Sequence, residues 1–310
     1  MVRTCLSRLI LSLVGSLLLI TGLWAQGTVD QKIPGNLLPF NNCKVFYLDS
    51  GGKGIPVVFL HGGYGNSKIW KHQMPAFTTA GYRFIAIDYR SSCITGAAKG
   101  NEYAPDLINQ LTAKLGIQKF HLLGTASGGV TALKYALGNR DKLRSLIISH
   151  SVGNVQDDSY NQINARLRPS SFSQIPLEIR ELGPSYRATN PEGVKLWLSI
   201  VNESRDSAPP LKEADNNPNG MSSKSTRPND MGAGNNPQDA VNWNNLDNFK
   251  TPLLVMTGDA DLYTPPSVLR LFTSHVKRAE SAIIPDSGHS SFWENPDIFN
   301  RTVLAFISKY

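Results

Sequence analysis

The chain lacks most of the features that announce a metal, redox or nucleic-acid function. Of its 310 residues only three are cysteine and six are histidine, and neither a C-x-x-C pair nor an H-E-x-x-H helix occurs, which excludes the common zinc and thiol-redox motifs. The formal net charge of +7 is spread along the sequence, without the lysine and arginine clusters that follow a nucleic-acid backbone. No internal repeat is present, so a solenoid or propeller is not expected. With 41% hydrophobic and 18% charged residues, the chain is apolar enough to bury a large core. Long uncharged runs are also missing, with one exception at the N-terminus.

That exception has three parts: Arg3 and Arg8, the uncharged run Leu9 to Trp24, and Ala25-Gln26-Gly27 before polar sequence. The order is that of a secretory signal peptide over residues 1–25, with cleavage after Ala25 or after Gly27. Cleavage would remove the one apolar anchor, so no stable membrane attachment is expected, and the mature protein would be secreted or periplasmic. It would also remove Cys5 and two arginines, leaving 29 basic against 24 acidic residues.

From Lys44 onward, short apolar runs alternate with longer amphipathic ones, the pattern of a mostly parallel sheet wrapped by helices. Strands are expected near 44–48, 56–60, 83–88, 119–124, 144–150, 252–257 and 280–284. The rhythm breaks between 152 and 250, where helix-like pieces at Asn161–Leu167, Pro176–Leu182 and Gly193–Val201 precede a stretch rich in Asn, Pro, Gly and Ser. Residues 26–151 and 251–310 therefore form the expected α/β core, and 152–250 an insertion.

The chemistry-bearing motifs lie at the ends of those strands. Val57-Val58-Phe59-Leu60 runs into His61-Gly62-Gly63-Tyr64-Gly65, and Phe120-His121-Leu122-Leu123 into Gly124-Thr125-Ala126-Ser127-Gly128-Gly129. Further on, Pro252–Met256 leads to Thr257-Gly258-Asp259-Ala260-Asp261, and Ser281–Pro285 to Asp286-Ser287-Gly288-His289 with Glu294-Asn295-Pro296 behind it. This set resembles the α/β-hydrolase fold superfamily, in which a G-x-S-x-G elbow, an acid and a histidine follow one another along the chain. Here alanine stands where the elbow serine is expected.

The resemblance implies specific roles. His289 would be the general base and Asp261, at the G-x-x-D spacing, the carboxylate that orients it, with Asp259 as a helper or turn residue. Backbone N–H groups of Gly63 and Ser127 would face the oxyanion. The insertion would be a helical cap that selects a small-molecule substrate; Trp197, Trp243, Tyr160 and Tyr186 there either line a pocket or pack. His72, His121, His150 and His275 are expected to be structural or exposed. No cofactor or metal is implied. The family's strand order also brings Cys43 and Cys93 toward each other, and a Cys43–Cys93 disulfide is expected.

Ala126 leaves three readings of the native site open, beside a fourth in which alanine was installed to trap a substrate. Ser127 is an alternative nucleophile if the elbow register shifts by one. Otherwise Ala126 holds the nucleophile position, and the site runs either on His289 without covalent catalysis, as in a lyase or isomerase, or as a ligand-binding pseudoenzyme. Hydrolysis of an ester, lactone or related carbonyl compound leads these expectations.

Overall fold

A computed structural model describes residues 35–40, 43–89, 104–206 and 241–310. Eight strands form one sheet: β1 Gly35–Phe40, β2 Cys43–Asp49, β3 Pro56–Leu60, β4 Arg83–Ile87, β5 Phe120–Thr125, β6 Leu143–Ser149, β7 Leu253–Gly258 and β8 Glu280–Ile284. Their spatial order is β1-β2-β4-β3-β5-β6-β7-β8. The pairs β1–β2 and β2–β4 are antiparallel, and every other pair is parallel.

The central strands are buried on both faces, so the period-2 alternation of strand side chains splits their residues between two cores. Val58 and Leu60, Ile85 and Ile87, Leu146 and Ile148, and Leu253 and Val255 point to one side. There they meet α2 (Ala104–Lys114), α3 (Ser127–Gly138) and α9 (Pro266–His275) through Leu107, Leu133 and Phe272. Val57 and Phe59, Phe84 and Ala86, Ile147, and Leu254 and Met256 point to the other. That side is covered by α1 (Gln73–Thr79) and α11 (Pro296–Ile307) through Phe77, Phe299 and Val303. Phe59 anchors this second core, with ring centroids 4.7 Å from Phe84, 5.1 Å from Phe77 and 5.2 Å from Trp70.

One strand was not expected. β1 contains Pro39, which has no N–H for a central ladder, and it lies at the sheet's edge, where proline is tolerated. Between β6 and β7 the chain forms α4 (Asp158–Leu167), a turn at Ser170–Gln174, α5 (Leu177–Glu181), α6 (Pro184–Thr189), α7 (Pro191–Asp206) and α8 (Trp243–Asp247). Among the described residues no helix is long and apolar enough to cross a membrane. The expected signal peptide lies outside the described residues. So does Cys93, and with it the expected Cys43–Cys93 pair.

Candidate active site

The elbow is built by steric exclusion. β5 ends at Thr125, one residue later than the apolar run suggests, α3 begins at Ser127, and Ala126 alone makes the turn. Ala126 sits at φ 50°, ψ −117°, a region that L-residues avoid and that costs on the order of 1–3 kcal/mol. Its N–H donates to Ser149 O at 2.9 Å, and its carbonyl accepts from Gly129 N at 3.0 Å. Only glycine fits on either side: a Cβ at 124 would lie 2.1 Å from Gly128 O, and one at 128 would lie 2.3 Å from Leu60 O. The helix start is thereby pressed against the His61–Gly65 turn, and a Cβ on Gly62 would sit 3.4 Å from that of Ala126.

Ser127 occupies the first position of α3, not the strained turn. Its side chain is buried, with Oγ 3.4 Å from the Tyr89 hydroxyl, which itself donates to His61 O at 3.0 Å. As a first-turn residue, Ser127 has an N–H without an acceptor in its own helix, at the positive end of the helix dipole.

Asp259 and Asp261 make different contacts, and only Asp261 meets His289. Asp259 is exposed and braces the turn after β8, accepting from Asp286 N at 3.0 Å and Ser287 N at 3.1 Å. Asp261 is buried and faces His289, whose Nδ1 lies 2.9 Å from Oδ1 and 3.0 Å from Oδ2. Oδ1 also accepts from Tyr263 N at 2.7 Å and Thr264 N at 2.9 Å, and Oδ2 from Thr257 Oγ1 at 3.0 Å. Burial favours a neutral Asp261, yet His289 and His150 hold its carboxyl well below the usual carboxylate range. Burial likewise disfavours a charged His289, but the carboxylates of Asp261 and Glu181 outweigh it and raise the imidazole pKa. Among the described residues nothing hydrogen-bonds to His289 Nε2. Glu294 accepts from Gly288 N at 2.9 Å and Ser290 N at 3.2 Å, which fixes the backbone on both sides of His289.

His150 belongs to this cluster as well. It is buried as expected of a structural histidine, but its Nδ1 lies 2.9 Å from Asp261 Oδ2. Nothing in the sequence pairs two residues 111 positions apart; the one visible hint is the polar Ser149-His150-Ser151 at a strand's carboxyl end. Of the other histidines expected to be structural or exposed, His121 is buried beside Ser145 Oγ at 2.8 Å, His72 packs edge-on to Trp293 at 5.1 Å between ring centroids, and the exposed His275 stacks on Trp243 at 4.1 Å. Trp197 is core, and Tyr160, Tyr186 and Trp243 pack against the core. The donor atoms of His150, Asp261 and His289 lie within 4.8 Å of one another, but each Nδ1 is engaged by the carboxylate, so a cation there would displace both hydrogen bonds.

The insertion contributes a polar wall that the sequence did not disclose. Tyr263 lies against His289 at 4.3 Å between ring centroids, and its hydroxyl accepts from Arg180 Nη1 at 3.0 Å. The Arg168 guanidinium stands over the Tyr263 ring at 5.8 Å. Glu181 is buried alongside, and burial raises its pKa.

The sequence profile of the family described as "alpha/beta hydrolase fold" matches residues 55–296. The chain is 26% identical over 273 residues to a 2-hydroxy-6-oxononadienedioate/2-hydroxy-6-oxononatrienedioate hydrolase of Klebsiella pneumoniae, covering 84% of this chain and 90% of the relative. Among solved structures it is similar to a thermophilic esterase from Thermogutta terrifontis, with TM-score 0.65, 20% identity, and coverage of 89% of this chain and 98% of the other. A bromoperoxidase from Bacillus anthracis gives TM-score 0.64 at 19% identity, covering 89% of this chain and 100% of the other.

Proposed function

The chain belongs to the alpha/beta hydrolase fold family, and from that premise we propose that it hydrolyses a small carbonyl substrate, an ester, a lactone or a carbon–carbon bond beside a ketone, without a covalent intermediate. Ala126 stands in the nucleophile's place and His289 Nε2 takes a proton from water as the water oxygen bonds to the carbonyl carbon. The N–H groups of Gly63 and Ser127 hold the resulting oxyanion. When the intermediate collapses, the bond to the leaving group breaks and the Nε2 proton goes to that group. Asp261 keeps His289 in the tautomer with hydrogen on Nδ1, which leaves Nε2 free to accept.

The observation that carries this reading is the strained backbone of Ala126 together with an intact His289–Asp261 pair. Ser127 has the wrong place for a nucleophile: it lies past the turn, with its hydroxyl directed to Tyr89. A triad without its nucleophile retains about 10³-fold acceleration from binding and oxyanion contacts, so activity alone does not decide the matter. The test is intact-mass labelling with a fluorophosphonate. The wild type should stay unlabelled and Ala126→Ser should gain one adduct; a wild-type adduct that disappears in Ser127→Ala would overturn the reading.

Arg180 and Arg168 around Tyr263 support an anionic substrate, in line with the dioate named for the Klebsiella relative. Arg180→Gln should then raise KM for an anionic ester more than for its neutral counterpart, and equal effects on both would remove this assignment. The insertion is proposed as the cap that selects the substrate. We propose in addition that residues 1–25 direct export and that Cys43 pairs with Cys93 afterwards, since Tyr47 pairs with Ile87 and the start of β2 thus meets the chain leaving β4. Mass analysis of secreted protein, with and without reduction before alkylation, reads both at once.

A further inference from the structure

Asp261 is held by more donors than orienting one histidine requires. Its two oxygens accept from His289 Nδ1, His150 Nδ1, Thr257 Oγ1, Tyr263 N and Thr264 N. Two of these donors come from other strands: His289 follows β8, and His150, at the carboxyl end of β6, reaches Asp261 from a backbone at φ 54°. A residue that served only to fill space there would need neither positive φ nor a buried imidazole, both of which cost free energy.

The other nitrogen of His150 is occupied too. Ser291 Oγ lies 2.7 Å from Nε2 and Ser291 N 3.3 Å, and because Ser291 N–H can only donate, Nε2 is the acceptor and Nδ1 carries the hydrogen. Ser291 stands two residues after His289 and opens α10 (Ser291–Glu294). The hydrogen bonds close a ring: Ser291 to His150, His150 to Asp261, Asp261 to His289, and two residues of chain back to Ser291.

We propose that His150 is a positioning residue for the reaction: a neutral second imidazole that shares the Asp261 carboxylate with His289, fixes its orientation from the opposite side, and holds His289 in the neutral form that can accept a proton. The physical reason is charge dispersal. Each donor to a carboxylate spreads its negative charge, so the charge left to stabilise the His289 cation is smaller. Without the His150 donor, the Asp261 charge falls more heavily on His289 and the protonated form gains. The proposal rests on His289 being the general base, and it matters most where Ala126 supplies no hydroxyl and water itself must be deprotonated.

Burial pushes the His150 pKa down and keeps it neutral, while that of His289 is raised, so of the two imidazoles His289 is the one that titrates first. The other charged groups acting on the pair are Glu181 and Arg180 from α5, Arg168 after α4, and Glu294 of α10, with the Tyr263 phenol beside them.

The test is a ¹⁵N-histidine NMR titration of the intact protein, read without substrate. In the wild type, His150 should show the Nδ1–H tautomer and stay neutral through pH 6; an Nε2–H tautomer or an imidazolium there overturns the proposal. In His150→Phe the His289 midpoint should rise by about one pH unit, the scale of one lost hydrogen bond to a charged group. His150→Asn keeps an N–H donor near the position of Nδ1 and tolerates positive φ, so it should bring the midpoint back toward wild type. Equal His289 midpoints in the Phe and Asn variants defeat the proposal. Should the Phe variant not fold, Ser291→Ala should give a smaller rise, and no rise counts against it. The acid limb of ester hydrolysis should move with the NMR midpoint. If the midpoint moves but His289→Ala leaves hydrolysis unchanged, it is the reading of His289 as base that fails, and the His150 coupling stands.

Discussion

The two halves of the site are built by opposite means. On the β3–β5 side, shape is enforced by what is missing: no Cβ is tolerated at Gly124 or Gly128, and the turn between them carries only the methyl of Ala126. On the β6–β7–β8 side, position is enforced by what is present, a carboxylate with five hydrogen-bond donors and a histidine loop braced by Asp259 and Glu294. The first half can change the side chain at its turn without losing its geometry, because small residues and a strained backbone hold the turn. The second cannot, because there the reactive groups are themselves the scaffold.

Substitutions that break one half and spare the other separate these cases, and the largest effect is expected at His289. His289→Ala removes the proposed base together with one of the donors to the buried Asp261, so it should reduce kcat/KM for a small ester by about 10³-fold, the range of general-base catalysis, and also lower the unfolding midpoint. A loss below about tenfold would place the chemistry elsewhere. On the other side, Gly128→Ala drives a methyl into Leu60 O, an atom of backbone that cannot rotate away. It should cost more than about 3 kcal/mol in urea unfolding and lower the folded yield. A nearly neutral Gly128→Ala would mean that the close approach of α3 to β3 is not rigid.

The contrast extends to two buried histidines. His121, in β5, is hydrogen-bonded to Ser145 but has no carboxylate, and burial together with Arg144 lowers its pKa to about 4. Between that value and about 6.5 the unfolded chain binds the proton and the folded chain does not, so stability falls as pH falls through this window. The loss should approach about 3 kcal/mol by pH 4, and His121→Gln should flatten it. His289 carries the opposite sign. Its raised pKa stabilises the fold below about 6.5, and that contribution fades as pH rises through the folded value.

What could be read in the sequence follows the same division. Local features were legible: short apolar runs located seven strands, and the glycine spacing, through its resemblance to the family's elbow motif, located the turn between β5 and α3. β1 was hidden because Pro39 argues against a strand unless the edge position is known. Asp261 and Asp259 fall in one short turn, and only the resemblance, with its G-x-x-D pattern, favoured Asp261. His150, Arg180 and Glu181 were not legible, because their meaning lies in partners far along the chain. The Asp261–His150 contact exists only because β6 and β7 are neighbours in the sheet. Side chains that act through long-range hydrogen bonds leave no periodic trace, whereas glycines that enable a turn do.

The smallest effect is the most direct probe of the elbow. At φ 50°, ψ −117°, Ala126 bears a strain that glycine would not. Replacing it with glycine relieves on the order of 1–3 kcal/mol in the folded state and costs about 0.5–1 kcal/mol through the more flexible unfolded chain. Ala126→Gly should therefore stabilise the protein by about 1 kcal/mol in urea unfolding, an unusual sign for a glycine introduced at a helix start. Ser127→Gly, one residue on, should destabilise it, because Ser127 has ordinary helical backbone and gains nothing from the freedom. Opposite signs at adjacent positions would locate the strain at 126; the same sign at both would mean that the turn is relaxed and that the shifted register, with Ser127 as nucleophile, has to be reopened.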